Sequence, residues 1–457
     1  MSSKQGHSRL GRWSALVLAL ALAAAACGNS GDDEAASEEP SAASEPSTES
    51  GGGGGVERPG VTDDEIRFSA VGTRSNNPLG TCVLDCYVDG IEAYFAYRNS
   101  EGGVDGRDMV LSNVVDDELA QNQARSLEIV TADDTFAAFG APTIADGFEV
   151  FAEARMPLYV WTIQVTEMTG RDSIFGNREV SCIACVRRAT AYVAELTEAE
   201  RVASLGYGVS EASRQCANAD AESIEAYGED VGAESVYVND DLAFGLPNGI
   251  GPEVTAMREA DVDLITACID LNGMQTLAQE LERQGMQDVT LFHTNTYNQS
   301  FVEENAELFE GDYVQAIFRP FEADSEGSAL AAYREWMEET GSELTEPAMV
   351  GWINADLAYR GILEAGEDFD RESVITATNE MTEYTASGLT QPVDWSRQHE
   401  PRTDEDPAAH GPEHDCIALV EVADGGQFEV VGDAAAPWHC WPGDTLDWSE
   451  PEPMNFE

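Results

Sequence analysis

The chain has 457 residues, 42% of them hydrophobic, and carries 86 acidic against 24 basic residues for a formal net charge of −62. That length exceeds one ordinary core and implies two packed lobes, while so acidic a surface excludes nucleic acid and anionic membrane surfaces as partners. The acids are spread over the whole chain, which fits adaptation to a saline habitat, where salt screens self-repulsion, better than attraction of cationic ligands.

In chain order, Lys4, Arg9 and Arg12 precede an uninterrupted apolar run over 15–26, which ends at Cys27. The run is short for a bilayer span and suits a secretory signal. Ala24-Ala25-Ala26-Cys27 resembles the lipobox of bacterial lipoproteins, with Ala24 where Leu is usual. That resemblance implies removal of 1–26 and lipidation of Cys27. Residues 28–57 hold no aromatic residue and include five consecutive glycines, 51–55. Such a stretch cannot bury enough apolar surface to order itself. It is expected to be a disordered tether, 27–57, with a reach on the order of 30 Å.

The body reads as repeated strand and helix. Strands are expected at 66–71, 109–115, 135–139 and 157–161, alternating with helices at 88–99, 119–131 and 148–154. The rhythm restarts with strands at 201–207, 235–238, 264–268 and 289–292. Helices at 211–227, 252–260, 274–284 and 301–309 follow them. This pattern implies parallel sheets with helices on both faces. Three helices come next, 328–340, 349–365 and 372–382, and must cover an earlier sheet. A hairpin, 417–422 with 427–431, turns at Asp424-Gly425-Gly426. No second run is long enough for a membrane helix, so a soluble body is expected.

Eight Cys lie in the body: Cys82, Cys86, Cys182, Cys185, Cys216, Cys268, Cys416 and Cys440. An even number in an exported chain reads as disulfides. The preferred pairs are 82–86, 182–185, 216–268 and 416–440, with a crossed pairing of the first four as the alternative.

Rival chemistries find little support. Cys182 and Cys185 have C-x-x-C spacing but no thioredoxin-like surroundings. His410, His414, Cys416, His439 and Cys440 could chelate zinc, but exported Cys more often pair. There is no phosphate loop and no Gly-x-Ser-x-Gly elbow. With His293 the only His between the signal and residue 398, a His-based triad is disfavoured. Neither enzyme activity, nor a cofactor, nor a metal is expected.

The body resembles the type I periplasmic solute-binding proteins, the branched-chain amino-acid receptor family of ABC transporters, in an actinobacterial lipoprotein form. The residues that carry it run in order. They are Gly60-Val61-Thr62-Asp63-Asp64-Glu65-Ile66, Ala93-Tyr94-Phe95, the stretch NSEGGVDG (99–106) and Val115-Asp116-Asp117. LERQGM (281–286), YRGILEAG (359–366) and Gly388-Leu389-Thr390-Gln391-Pro392-Val393-Asp394-Trp395 follow. The match covers about 58–432.

The resemblance implies an α/β fold of two Rossmann-like lobes with parallel sheets, joined by a three-stranded hinge at 174–181, 316–321 and 391–396. Lobe 1 would be 58–177 with 322–392, and lobe 2 would be 178–318 with 396–457. It also implies an extracytoplasmic, membrane-anchored monomer that captures a small polar solute, an amino acid or amide, for ABC permease subunits. A sensing or adhesive surface lipoprotein of the same fold is the alternative.

Ligands of open parallel sheets bind beyond the C-terminal strand ends. Those turns hold Asn76 after the first strand, Thr143 after the third, Thr162 after the fourth, and Tyr207 and Ser210 in the second lobe. Asp270, Asn295 and Tyr297 lie on later turns. The resemblance assigns a ligand carboxylate to Thr143 and Thr162, and closure from the other side to Tyr207, Asp270 and Tyr297. Asn295 stands where the family has an ammonium-binding acid, which makes an amide or neutral ligand as consistent as an α-amino acid.

Overall fold

The structure, a computed structural model, describes residues 58–161, 168–180, 186–401, 414–443, 445 and 447–456. Cys27, Thr162, Cys182, Cys185 and the tether lie outside the described residues.

Strand β1 (Glu65–Gly72) is buried on both faces from Phe68 onward, the mark of a strand covered by helices on each side. It sits inside a five-stranded sheet of order β2 (Asp108–Asp116), β1, β3 (Ala137–Ala141), β4 (Leu158–Val160), β5 (Ile174–Gly176). All its pairings are parallel. Helices α1 (Leu84–Ser100), α2 (Asn122–Ala132) and α3 (Phe148–Glu153) connect the first strands. Phe68, Phe95 and Phe139 meet in the core between sheet and helix.

The second sheet contains β6 (Arg201–Tyr207), β7 (Glu234–Leu242), β8 (Leu264–Cys268), β9 (Thr290–His293) and β10 (Tyr313–Ala316), all parallel, in the order β7-β6-β8-β9-β10. Its helices are α4 (Ala189–Leu196), α5 (Glu211–Val231), α6 (Gly251–Glu259), α7 (Leu271–Gln284), α8 (Gln299–Glu304) and α9 (Ala306–Phe309). Beyond β10 this sheet continues with antiparallel strands, which include the expected hairpin. Strand β11 (His414–Val422) runs antiparallel to β10, with β12 (Phe428–Val430) and β13 (Trp438–Pro442) antiparallel to β11, and β14 (Glu452–Met454) antiparallel to β13. Cys416 faces Cys440 across this ladder, and the two are bridged.

Helices α10 (Leu330–Thr340), α11 (Glu346–Ala365) and α12 (Arg371–Asn379) return to the first sheet; α10 and α11 pack on α1, and α12 packs on α11. The approach of α1 to α11 is very close. A Cβ on Gly90 would overlap the Ala348 carbonyl, and one on Gly351 would overlap the Tyr87 carbonyl. The chain passes between the sheets three times: after β5, after β10, and between α12 and β11.

Several boundaries differ from the sequence reading for local reasons. Helix α2 starts at Asn122 rather than 119, because Glu118 and Leu119 both have left-handed φ while Asp117 accepts from the Leu119 N–H. Helix α11 starts three residues early, at Glu346, capped by the Thr345 hydroxyl with Pro347 in its first turn. The expected helix 301–309 is broken at Asn305. Residues 174–176 form a fifth sheet strand rather than part of a free crossover.

Candidate functional site: the cleft between the two sheets

Both sheets reverse strand order at one place, β1/β3 in the first and β6/β8 in the second. Such switch points open a crevice beyond the strand ends. The two crevices face each other: a Cβ on Gly80, in the turn after β1, would overlap the side-chain amide of Asn272 in the first turn of α7. The cleft lies between these edges.

On the first sheet the turns are tied together. Thr73 is fully buried, and its hydroxyl accepts from the Thr143 N–H at 2.8 Å. Asp116 accepts from the backbone of Arg74, Ser75 and Glu118. Burial alone would raise its carboxyl, but hydrogen bonds led by Ser75 hold it at about 2. Asn76 has left-handed φ and donates to the Glu118 carbonyl. The Asn77 side chain closes the 77–81 turn, and the Cys82–Cys86 bridge fixes the entry to α1. The Thr143 hydroxyl is buried and has no hydrogen-bond partner among the described residues.

On the second sheet Tyr207 is 3% exposed; its phenol donates to Asp270 at 2.9 Å, and its ring packs on Phe244. Burial first, then the Asp270 charge, pushes that phenol up. Ser210 caps α5 through the Ser213 N–H, and Asp270 caps α7 through the Gly273 N–H. Asn295 is exposed at the rim and donates to Thr294. Thr296, beside it, is fully buried, and its hydroxyl has no hydrogen-bond partner among the described residues. Tyr297 is packed among Phe318, Phe321 and Phe428 and donates to Glu322 at 2.6 Å, which braces the second passage between the sheets. The Cys216–Cys268 bridge lies directly beneath these turns: the Ser213 hydroxyl bonds both the Cys268 carbonyl and the Tyr207 N–H.

The family of periplasmic binding proteins matches residues 80–427, about three quarters of the sequence. The chain belongs to this family. It is type I in architecture, and with its family it is an extracytoplasmic solute-binding receptor rather than an enzyme. No curated protein matches it. Three solved structures share the fold. A substrate-binding periplasmic protein from Ralstonia solanacearum is 18% identical with a TM-score of 0.61, covering 80% of this chain and 100% of that one. A fatty acid ABC transporter substrate-binding protein from Thermomonospora curvata is 16% identical with a TM-score of 0.62, covering 88% and 98%. The branched-chain amino acid transporter substrate-binding protein LivJ from Streptococcus pneumoniae, in complex with isoleucine, is 16% identical with a TM-score of 0.61, covering 80% and 99%. No helix among the described residues is long and apolar enough to cross a membrane.

In this periplasmic binding protein the zinc reading of the C-terminal His and Cys fails. Both sulfurs, Cys416 and Cys440, are bridged, and His439 is bonded through Nε2 to the Val431 carbonyl and through Nδ1 to Tyr192. The sequence reading also passed over two enclosed charged groups. Arg178 falls inside an expected crossover, and Glu346 lies just before the expected start of its helix; the Thr345-x-Pro347 start signal could have placed the latter.

Proposed function

We propose that this binding protein is a lipoprotein held to the cell membrane through Cys27, which closes two lobes on a small polar solute and passes it to the permease subunits of an ABC transporter. Lobe 1 is 58–177 with 322–392, and lobe 2 is 178–318 with 396–457. The solute is an amino acid or an amide-like molecule, with the Thr143 hydroxyl meeting it from lobe 1 and the Tyr207–Asp270 pair facing it from lobe 2.

The observation that carries this reading is the apposition of the two C-terminal strand edges at Gly80 and Asn272. Two switch-point crevices that meet this closely can enclose a small solute between them. The Thr143 hydroxyl beside the first of them, without a partner among the described residues, supports a polar occupant. The structural neighbours named for leucine, isoleucine and fatty acid show that one architecture serves chemically different solutes.

A thermal-shift panel of amino acids, amides and polyamines tests the reading. One solute at a hundred times its Kd is expected to add about 2.7 kcal/mol of stability and raise Tm. A flat panel on folded protein would remove the transport reading. Mass spectrometry of the mature N-terminus tests the anchor, with a lipid-modified Cys27 expected.

A further inference from the structure

The turns beyond the first sheet converge on one buried carboxylate. Asp117 directly follows β2, is fully buried, and has no cationic partner among the described residues. Its Oδ1 accepts from the Leu119 N–H at 2.9 Å, and its Oδ2 accepts from the Asn122 side-chain amide at 3.2 Å. The Thr73 hydroxyl donates to it as well.

Two of these donors carry the connection on to another turn. Thr73, after β1, accepts from the Thr143 N–H at 2.8 Å. Asn122, the first residue of α2, accepts through Oδ1 from the Gly147 N–H at 2.9 Å. Thr143 and Gly147 bound the turn from β3 to α3, so that turn is fastened at both ends. Every bond in the network points toward Asp117. A carboxylate is the side chain of this size that accepts all of them and donates none.

The network is tightly built. A Cβ on Gly147 would overlap Asn122 Oδ1 and Ser126 Oγ. Glu118 and Leu119 both have left-handed φ, +52° and +77°, which turns the Leu119 N–H back onto Asp117. Left-handed backbone at two residues with side chains, beside a buried charge with no counter-ion, is costly. Proteins keep such costs where geometry serves function. The turn held here carries Thr143, whose buried hydroxyl has no partner among the described residues, next to the exposed Ile144.

We propose that Asp117 is a positioning residue for solute capture: buried away from the solute itself, it fixes turn 142–147 through Thr73 and Asn122, so that the Thr143 hydroxyl meets the solute in one preset direction. This rests on the solute-receptor reading and deepens it. The turn is set before a solute arrives, so capture does not have to order it.

The network has a polarity that can be exchanged. In Asp117→Asn a donor replaces one oxygen, and Asn122 cannot turn its own oxygen to meet it without withdrawing from the Gly147 N–H. Combining Asp117→Asn with Asn122→Asp restores every bond: the amide at position 117 donates to the carboxylate at position 122, which still accepts from Gly147.

Two measurements on the full folded chain test this. In amide hydrogen exchange without solute, Asp117→Asn is expected to speed exchange at Thr143 and Gly147 about tenfold or more and to leave β8 unchanged, and the paired substitution to restore protection. In calorimetric titration well below Tm, the probes are the twenty L-amino acids, their primary amides, putrescine and spermidine. Each probe that binds wild type is expected to bind Asp117→Asn about tenfold more weakly, and the paired variant to recover most of that loss. In a Thr143→Val background Asp117→Asn is expected to add less than about a twofold loss, because its effect runs through Thr143. A contribution to stability alone would lower Tm and leave the affinity of the folded chain unchanged. If Asp117→Asn does not fold, Thr73→Val takes its place, with Thr73→Ser as the restoring variant. Unchanged affinity, a loss that the paired substitution does not recover, or a loss that adds in full to Thr143→Val overturns the inference and leaves the receptor reading intact. A folded wild type that binds no probe overturns both.

Discussion

The Tyr207 phenol and the Asp270 carboxylate join two neighbouring strand ends at 2.9 Å, while the other oxygen of Asp270 caps helix α7. One carboxylate thus holds a buried aromatic at the end of β6 and starts the helix that carries Asn272. Asp270→Ala removes the cap and leaves a buried phenol unpaired. Urea denaturation is expected to show a loss of about 1–3 kcal/mol. An unchanged midpoint would mean that Asp270 is not a structural cap.

The approach of Gly80 to Asn272 makes closure sensitive to a single methyl group. Gly80 also has φ +72°, so Ala there is strained and meets the amide. Gly80→Ala is expected to weaken solute binding about tenfold, and Asn272→Ala in the same chain to restore part of it. Equal affinity in wild type and both variants, measured by titration, would place the closed cleft elsewhere.

Gly90 lets α1 and α11 touch. Gly90→Ala must push the Ala348 carbonyl aside, and the expected cost is about 1–3 kcal/mol with a lowered Tm. A wild-type Tm would show that the two helices separate freely.

Glu346 gives a pH dependence of stability with a definite sign. Its carboxyl lies at about 7 in the folded chain against 4.5 when exposed. Between those values the folded chain holds a proton that the unfolded chain has lost, so this group makes stability fall as pH rises from 4.5 to 7. Below 4.5 both states are protonated and it has no effect. The Tm of Glu346→Gln relative to wild type is therefore expected to climb from pH 5 to pH 8. Parallel Tm curves would contradict it.

Six bridged Cys staple the body. Thiol labelling of denatured, unreduced protein is expected to leave Cys82, Cys86, Cys216, Cys268, Cys416 and Cys440 unmodified. Replacing both Cys416 and Cys440 by Ser is expected to cost roughly 2–4 kcal/mol. Labelling at any of the six would break the pairing scheme.

Much of this was legible in the sequence, because the β–α alternation and the short apolar strands respond to burial on both faces. An even number of Cys in an exported chain pointed to disulfides, and the three described bridges are among the preferred pairs, although sequence alone leaves the connectivity open. What escaped depends on contacts remote in sequence. Residues 438–442 sit among Pro, Gly and Asp, and become a strand only because Cys440 pairs with Cys416 and Trp438 and Trp441 are buried. Ser210 and Asp270 lie at strand ends, where a helix cap and a ligand contact look alike in sequence; their N–H partners make them caps. Arg178 and Glu346 are far apart along the chain, and only the fold brings them within electrostatic reach of each other.

The most direct test of a chamber that closes on one solute is native mass spectrometry of the folded protein offered a mixture of amino acids and amides. The account predicts a single small-molecule adduct at one per chain, diminished by Gly80→Ala and by Thr143→Val. A folded protein that carries no adduct from any mixture, or several unrelated adducts that neither substitution alters, would contradict it.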